Sequence, residues 1–386
     1  RHFRFECGWF NNFLKIRVRF AGGALLAPFI LRRLRAVMAE GGHNDEMKYT
    51  YAKKVGSTYE NPWGDGSIPS LMAARHFLTE KNLSQVPGKE ELNKTLPVHR
   101  LSSEVSTPPD EGIRITWIGH ASVLFQFDGY SILADPIFSN RCSPLSIAGP
   151  KRYRPPPCGV DELPEIDAVC ISHNHYDHLD VQTVKDLNAH FPNINWFVPA
   201  GLKDWMSHTG ITSNVEEYEW WNGKDLSKNV ANKTAKMKFV FTPTKHWCNR
   251  GLFDRNRVLW GSWAMIGPRY RVYFAGDTAY CEGFKQIGHK YGPFDLAAIP
   301  IGAYEPRKMM EPQHVNPEEA VKIHQDVKAK KSLGIHWGTF VLTYEHYLEP
   351  PKKLKEALFA AGIRDEDFFT LGHGESRLIT PETTDI

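Results

Sequence analysis

Residues 172–180, SHNHYDHLD, decide the fold, because this stretch places three histidines and two aspartates within nine positions. It directly follows IDAVCIS, an apolar run that is typical of a buried strand. Loops that leave the carboxyl ends of strands are where α/β proteins assemble their sites. A solvated loop could collect such residues by chance, and Asp177 or Asp180 could cap a helix. The rest of the sequence has to decide between these interpretations.

The same arrangement returns three times further along the chain. The strand-like runs KFVFTPT, RVYFAGD and SLGI each end at or close to a histidine or aspartate. Each such residue alone has an ordinary structural explanation, either a hydrogen-bonded histidine or an aspartate in a turn. Their repetition favours a site for two metal ions. Together, four strand ends deliver seven donors: His173, His175, Asp177, His178, His246, Asp277 and His336.

This donor set favours zinc, because imidazole nitrogens with few carboxylates suit that metal. Two zinc ions can activate water near neutral pH and stabilise both oxygens of an in-line displacement. A phosphodiester fits that geometry, and a neutral ester or lactam would use the same nucleophile. The metal pattern therefore predicts hydrolysis and leaves the substrate open.

Composition limits the class of protein. The chain has 386 residues, 41% of them hydrophobic, and a formal net charge of +3, which favours a globular protein without a strong overall charge. A nuclease is expected to carry a broad stripe of Lys and Arg, whereas only local clusters, GPKRYRPPP and KAKK, occur here. The sequence therefore predicts no nucleic-acid partner. Six scattered cysteines without CxxC pairs favour reduced thiols.

The chain divides into four predicted segments. We interpret residues 1–45 as a basic and apolar extension, disordered or non-native, with a membrane-surface segment as the alternative. The uncharged run at 20–31 is well short of the roughly 20 apolar residues that a spanning helix needs. We predict that residues 46–111 form a lead-in segment that packs on the domain. The catalytic domain is predicted over residues 112–380, and a tail over residues 381–386.

From residue 112 onwards, short apolar runs alternate with helical patterns. The strand-like runs are IRITWIG, SVLFQFDGYSILADP, IDAVCIS, WFVPA, KFVFTPT, RVYFAGD, LAAIPIG, SLGIHWG and FFTLGHGESRLIT. Helices are predicted over residues 181–191, 317–330 and 351–361. This alternation indicates a layered α/β domain with two central sheets and outer helices.

The spacing His-x-His-x-Asp-His, followed by single His, Asp and His residues after later strands, resembles the metallo-β-lactamase superfamily. The resemblance implies an αββα sandwich with a dinuclear metal site between its two sheets. The superfamily's iron-binding, oxygen-reducing members carry Glu in place of His175, so the histidine favours a hydrolase. The implied ligands are His173, His175 and His246 for one zinc, Asp177, His178 and His336 for the other, and Asp277 as the bridge.

Motifs beyond the donors resemble a narrower family. ITWIGHAS, DPIFSNRCSP, GPKRYR, FTPTKHWCNR, FAGDTAYC, IGAYEPR, QHVNPEEAVKIH, IHWGTF and HGESR are similar to phospholipases D that hydrolyse N-acylphosphatidylethanolamine, over residues 61–377. The resemblance implies a phosphodiesterase that releases N-acylethanolamine and leaves phosphatidic acid. It also implies a homodimer on the cytosolic side of Golgi or endosomal membranes, as a peripheral membrane protein.

The same resemblance assigns further roles within the site. It implies catalytic roles for Asp277, Gln313 and His314, and substrate-binding roles for Tyr176, His314, Asp135 and His373. Two alternatives stay open, another hydrolase of this fold such as a nuclease or lactonase, and a non-catalytic membrane scaffold that keeps zinc. Structural zinc sites are usually closed tetrahedra, so seven donors favour catalysis.

A substrate with several acyl chains requires docking on a bilayer. The apolar stretch INWFVPAGLKDWM predicts the docking surface, especially Ile194, Trp205 and Met206, with basic residues such as Lys203 in support. The alternative is that these side chains belong to the core.

Overall fold

Two mixed sheets of seven strands each form the body of the protein in the computed structural model. Four strands of the first sheet pair antiparallel, and the remaining pairs are parallel. In spatial order this sheet consists of β16 (Ser376–Ile379), β3 (Ile113–Gly119), β4 (Ser122–Phe127), β5 (Tyr130–Ala134), β6 (Ala168–Cys170), β7 (Asn195–Pro199) and β8 (Val215–Tyr218). Every residue of β3, β4 and β5 is buried, as expected for strands covered on both faces.

The second sheet repeats this division into an antiparallel and a parallel half. In spatial order it consists of β15 (Phe368–Phe369), β14 (Ala329–Ile335), β13 (Phe294–Pro300), β12 (Arg271–Phe274), β11 (Ser262–Ile266), β10 (Lys233–Thr242) and β9 (Gly223–Val230). The strands from β9 to β12 pair antiparallel, and those from β12 to β15 pair parallel.

The core lies between the two sheets. Phe197 of β7 stacks on Phe239 of β10 with ring centroids 4.0 Å apart. Phe125 of β4 meets Phe274 of β12 edge to face at 6.4 Å. Such aromatic pairs contribute about 0.5–1.5 kcal/mol beyond the burial of their area. The apolar runs of the sequence therefore become two sheets that pack face to face.

Seven α-helices accompany the sheets in the described parts of the chain. Side chains cap two of these helices at their N-termini: Asp180 accepts from Gln182 N, and Asn316 forms a capping box with Glu319. The helices are α1 (Lys89–Thr95), α2 (Val181–His190), α3 (Lys203–His208), α4 (Gly283–Lys290), α5 (Arg307–Met310), α6 (Pro317–Asp326) and α7 (Glu349–Ala361).

The positions of the helices complete the predicted sandwich. α3 packs on β8 of the first sheet, and α6 packs on β13 and β14 of the second. The layered α/β arrangement of helices outside two sheets is confirmed. The helix predicted over residues 317–330 ends earlier, at Asp326, because the chain enters β14 at Ala329.

The structure describes residues 47–64, 84–145, 147–230 and 233–380, so the predicted 1–45 extension and 381–386 tail lie outside the described residues. Within the lead-in, β1 (Lys53–Val55) and β2 (Thr58–Glu60) form a hairpin. Thr50 N donates to Gln286 Oε1, and Trp221 Nε1 donates to Thr50 O.

No helix among the described residues is long and apolar enough to cross a membrane. The five described cysteines are buried and unpaired.

The docking surface predicted at INWFVPAGLKDWM is wrong for two of its three named residues. Ile194 is 1% exposed and Met206 is 0% exposed, so both belong to the core. Trp205 is partly buried, and the guanidinium of Arg250 lies 4.9 Å from its ring centroid. An apolar run does not distinguish residues that pack inward from residues that face a membrane.

Candidate metal centre

Strand ends of both sheets bring the predicted donors together. The loop after β6 carries His173 to His178, while His246, Asp277 and His336 follow β10, β12 and β14 of the second sheet. Donor atoms of His173, His175, His246 and Asp277 all lie within 4.8 Å of one another. Donor atoms of His120, Asp177, His178 and His336 do the same. All seven predicted donors therefore fall into two adjacent groups.

The first group consists of three imidazoles and one carboxylate. His175 Nδ1 lies 2.8 Å from His173 Nε2 and 3.2 Å from His246 Nε2. Asp277 Oδ2 lies 3.8 Å from the Nε2 atoms of His173 and His246. A neutral imidazole carries only one N–H, so three converging nitrogens cannot all satisfy one another by hydrogen bonding. A tetrahedral cation satisfies all of them at once.

The second group shares the carboxylate of Asp277 with the first. Asp277 Oδ2 is 3.0 Å from His178 Nε2, and Asp277 Oδ1 is 3.0 Å from His336 Nε2. Asp177 Oδ2 lies 3.5 Å from His178 Nε2 and 3.4 Å from His336 Nε2. Asp277 thus stands between the two groups, where the resemblance implies a bridging ligand.

Burial sets the electrostatics of the first group. Desolvation lowers the pKa of His173 well below its ordinary value, that of His175 to about 3 and that of His246 to about 4. These three imidazoles are therefore neutral near pH 7 and keep a lone pair for a metal.

Carboxylates reverse this effect in the second group. Burial alone would lower the pKa of His336, but Asp277 and Asp177 raise it to about 9. Burial alone would raise the pKa of Asp277, but the imidazoles of His178, His336 and His314 hold it well below its ordinary value. The carboxylate at the centre is therefore an anion that attracts cations.

Three buried polar atoms that face the centre lack hydrogen-bond partners among the described residues: His178 Nε2, His336 Nε2 and Asp277 Oδ1. Buried polar atoms in proteins nearly always have such partners, so a concentration of exceptions requires an explanation. Imidazole nitrogens and carboxylate oxygens are donors that zinc prefers. The residues present therefore fit a zinc centre.

Further contacts hold individual donors in place. His178 donates from Nδ1 to Asp135 Oδ2 at 2.6 Å, and Asp135 Oδ1 accepts the main-chain N–H of Ser172 at 2.7 Å. Burial raises the pKa of Asp135, and the hydrogen bond from His178 opposes that shift. His246 donates from Nδ1 to the carbonyl of Gln313 at 2.9 Å. Such partners orient metal-binding histidines and fix their tautomers.

The other predicted site residues differ in how deeply they are buried and in what they contact. His314 is 9% exposed, and its Nδ1 lies 3.9 Å from Asp277 Oδ2. Tyr176 is partly buried and donates its hydroxyl hydrogen to the carbonyl of Arg250 at 2.9 Å. The amide of Gln313 contacts Trp247 Nε1 and Met310 Sδ. Tyr176 and His314 therefore lie beside the donors.

His373 is 0% exposed, and its Nε2 lies 3.0 Å from Thr339 Oγ1. Its ring is 4.3 Å from that of Trp117, behind the turn that follows β3. A Cβ on Gly119, whose φ is +121°, would lie 2.8 Å from His373 Cδ2. Glycine at this turn therefore leaves room for the histidine ring.

Two residues of the site were missed by sequence reasoning. His120 places Nε2 at 2.9 Å from Asp177 Oδ2. It follows the strand IRITWIG, so it carries the same strand-end signal as the predicted donors. Arg250 donates from Nη1 to the carbonyls of Asn174 at 3.1 Å and Leu179 at 2.7 Å. These bonds hold in place the loop that carries His173 to His178, which we call the metal loop. No local pattern announces that role, because both contacts span more than 70 residues.

Comparison with known proteins agrees with this fold. A family model described as "Beta-lactamase superfamily domain" matches residues 130–337, more than half of the chain. The crystal structure of isothiocyanate hydrolase from Delia radicum gut bacteria superposes with a TM-score of 0.52 at 17% identity, covering 69% of this chain and 99% of that one. The chain therefore belongs to the metallo-β-lactamase superfamily.

Closer relatives identify the family. N-acyl-phosphatidylethanolamine-hydrolyzing phospholipase D 1 of Caenorhabditis elegans is 44% identical over 340 residues, which is 84% of this chain and 94% of that protein. The mitochondrial N-acyl-phosphatidylethanolamine-hydrolyzing phospholipase D of Saccharomyces cerevisiae is 32% identical, over 83% of this chain and 75% of that protein. Within the superfamily, the chain belongs to the N-acylphosphatidylethanolamine-hydrolysing phospholipase D family.

Proposed function

We propose that the protein hydrolyses N-acylphosphatidylethanolamine to N-acylethanolamine and phosphatidic acid as a zinc-dependent phosphodiesterase. The observation that carries this proposal is the carboxylate of Asp277, which faces two groups of buried donors at 3.0–3.8 Å. Two metals about 3.5–4 Å apart are the usual arrangement in enzymes that cleave phosphodiesters. The relatives from C. elegans and yeast are named for this substrate.

The two donor groups correspond to two zinc ions per chain. One ion would be held by His173, His175 and His246, the other by Asp177, His178 and His336, and Asp277 would be a ligand to both. When bound, the two ions supply a nucleophilic oxygen from water and positive charge for the phosphoryl oxygens.

The surrounding side chains bind and orient the substrate. The Nδ1 atom of His314 is buried and lacks a protein partner among the described residues, so it is available to a phosphate or amide oxygen. The ring of Tyr176 lies beside the metal loop and is covered by the guanidinium of Arg250 at 4.0 Å. Gln313 orients His246 through its carbonyl and places its amide next to Trp247.

Asp135 and His373 are both fully buried, which favours an indirect role for each. Asp135 acts on the metal centre through its hydrogen bond from His178. His373 acts through Thr339, whose hydroxyl oxygen also accepts the main-chain N–H of His120. Neither side chain needs to touch the ethanolamine group to affect turnover.

The decisive experiment is incubation of the purified protein with a mixed phospholipid extract in oxygen-18 water, followed by mass spectrometry. Attack on phosphorus places the label in phosphatidic acid. Label in N-acylethanolamine would mean cleavage of the carbon–oxygen bond and would contradict the proposal. Elemental analysis of the same protein should give about two zinc per chain, as in other two-metal hydrolytic sites. A content of one metal ion per chain or none, or a content that is predominantly iron, would contradict the proposed site for two zinc ions.

Peripheral association with a membrane is the second part of the proposal, and exposed apolar loop tips support it. Leu252 and Phe253 are 92% and 85% exposed, and Ile147 is 84% exposed. Ile147 lies in the loop of residues 136–154, and Leu252 and Phe253 lie in the loop of residues 247–258. Tyr176 contacts both loops, since it donates to the carbonyl of Arg250 and packs against the cluster that contains Cys142. The apolar tips therefore belong to loops that begin beside the metal loop.

The charges of the same two loops suit an anionic lipid surface. The carboxylate of Asp254 is engaged by the main-chain N–H groups of Arg250 and Gly251. A basic residue near an anionic bilayer contributes about 1 kcal/mol to binding. The other charged residues of the two loops are basic, and Arg141, Lys151, Arg255 and Arg257 among them are exposed or partly exposed, whereas Arg152 is buried.

Vesicles of phosphatidylcholine and phosphatidylserine test this surface. Replacing Leu252 and Phe253 with Ser should weaken vesicle binding roughly tenfold, because each side chain contributes apolar area to the bilayer contact. Turnover of detergent-dispersed substrate should stay unchanged. Phe359→Ser is the matched control, because Phe359 is 89% exposed on α7, a helix without site residues. Equal binding by both variants would contradict the docking surface.

The homodimer and the Golgi or endosomal location stay predictions from the family resemblance. Light scattering coupled to size-exclusion chromatography tests the first, and imaging of the tagged protein in cells tests the second. The yeast relative, which its name places in mitochondria, gives the Golgi or endosomal location no support.

A further inference from the structure

His120 lies in the turn between β3 and β4, beside the second donor group, and the seven proposed ligands do not account for it. Its side chain is 3% exposed, and Nε2 lies 2.9 Å from Asp177 Oδ2. We propose that His120 is a positioning residue that fixes Asp177 with its side chain and His336 with its main chain. This inference rests on the proposed zinc centre.

The side chain acts on Asp177. An aspartate has a broad preference about its terminal torsion, so the carboxylate needs an external partner to hold one orientation. A carboxylate offers about four lone-pair sites, so it can accept from His120 and still bind a cation. The Nε2 atom that donates a hydrogen to Asp177 cannot at the same time bind a metal. His120 is therefore a support for a ligand and not a ligand itself.

The main chain of the same residue acts on His336. The carbonyl of His120 accepts the N–H of His336 at 2.9 Å and the indole N–H of Trp117 at 2.9 Å. The N–H of His120 donates to Thr339 Oγ1 at 2.7 Å. The imidazole rings of His120 and His336 lie 4.1 Å apart. One residue of the first sheet thus holds a donor from each sheet.

Backbone conformation supports a functional reason for this arrangement. His120 has φ +54° and His336 has φ +63°, a left-handed region that residues other than glycine adopt at a cost of about 1–3 kcal/mol. Such strain persists where surrounding contacts dictate the position, and it concentrates at functional sites. Glycine would remove the strain at position 120 but would also remove the imidazole that reaches Asp177.

Three substitutions change the side chain of His120 and leave its main-chain N–H and carbonyl in place. His120→Gly permits the left-handed backbone and removes only the ring. His120→Gln restores an N–H donor on a longer side chain, and His120→Met has a similar shape without a donor. Gln and Met share the same backbone strain, so their difference reports the hydrogen bond to Asp177.

The measurement is zinc retained by the purified full-length protein against graded concentrations of a chelator, with the melting midpoint of each variant. Removing a partner that orients a metal ligand typically lowers metal affinity 10–100-fold. We expect a loss of that size, about 10–100-fold, for the second zinc in the Gly and Met variants, and partial recovery in the Gln variant. The first zinc should be held as in the wild type.

Each other outcome overturns a specific statement. Fewer than two zinc in the wild type would overturn the zinc centre and this inference with it. Two tightly held zinc ions in all variants would overturn the inference alone. Equal losses in Gln and Met would assign the ring to packing. Loss of one imidazole from the zinc shell of the Gln variant, measured by X-ray absorption, would make His120 a ligand.

Discussion

The two halves of the metal centre are built differently. The first-sheet half concentrates four donors in one loop, and side chains from elsewhere hold it, such as Asp135 on His178 at 2.6 Å. The second-sheet half consists of single donors at separate strand ends, and main-chain carbonyls support its two histidines: that of Gln313 accepts from His246 Nδ1 at 2.9 Å, and that of His120 accepts the N–H of His336 at 2.9 Å. The first half is therefore recognisable in the sequence but sensitive to substitution of its partners. The second is harder to recognise, but its two histidines are supported by main-chain atoms that substitution of a side chain does not remove.

Asp277 belongs to the second half but faces both donor groups, so its substitution should have the largest effect. Asp277→Asn keeps the shape and removes the negative charge that faces both donor groups. Turnover should fall about a thousandfold or more, with loss of zinc, because charge stabilisation at the reacting centre is usually the largest catalytic contribution. Steady-state kinetics and elemental analysis measure both effects. The exposed Asp365→Asn is the control, and normal turnover in the Asp277 variant would refute its shared role.

Asp135→Asn tests the sensitivity of the first half. Asn tolerates the φ of +39° at this position, so the backbone can stay in place while the carboxyl group that faces His178 is lost. Zinc affinity should fall about 10–100-fold, as expected when the partner of a metal-binding histidine is removed. Chelator competition measures this change. An unchanged affinity would mean that the side-chain support of the first half is dispensable.

Gln313→Ala tests the second half in the same way. The substitution removes the amide that contacts Trp247 and Met310, but the carbonyl that accepts from His246 remains. Zinc affinity should therefore stay within about threefold of the wild type, in contrast to the Asp135 variant. A fall in turnover at full zinc content would support the catalytic role predicted for the side chain. Loss of zinc would contradict the proposed difference between the halves.

Cys248→Ser should have the smallest effect, although Cys248 is 0% exposed and lies two residues after His246. Its thiol faces the carbonyl of Leu259 at 3.6 Å, and a serine hydroxyl can donate to the same oxygen. We expect unchanged zinc content and turnover. A buried hydroxyl in place of a thiol should lower the free energy of unfolding by about 1–2 kcal/mol, which a thermal melt detects. Loss of zinc would show that the thiol contributes to the centre.

The same contrast explains what sequence could predict. The dense loop and the strand ends predicted seven side chains that the structure brings together, and most of the central strands, because apolar runs bounded by polar residues indicate burial along a strand. β9 was missed because its residues GKDLSKNV are mostly exposed and lack an apolar face. His120 was readable by the same strand-end rule and was overlooked.

Other features depend on contacts that no local pattern contains. Arg250 braces the metal loop through carbonyls more than 70 residues away, and neither its neighbours nor its spacing indicate this. Ile194 and Met206 share their apolar character with residues that could face a membrane, and only the packing of β7 and α3 shows that they are buried.

β16 pairs with β3 although 260 residues separate Ser376 from its hydrogen-bonded partner Thr116. During synthesis, β3 therefore leaves the ribosome long before its edge can be covered. An uncovered strand edge invites pairing with other chains, so the nascent protein is exposed to aggregation until β16 has been made. A stop codon just before β16 would spare every proposed zinc ligand and still leave this edge open. The first sheet is therefore completed only after translation has reached β16, which makes folding of this domain slow and largely post-translational.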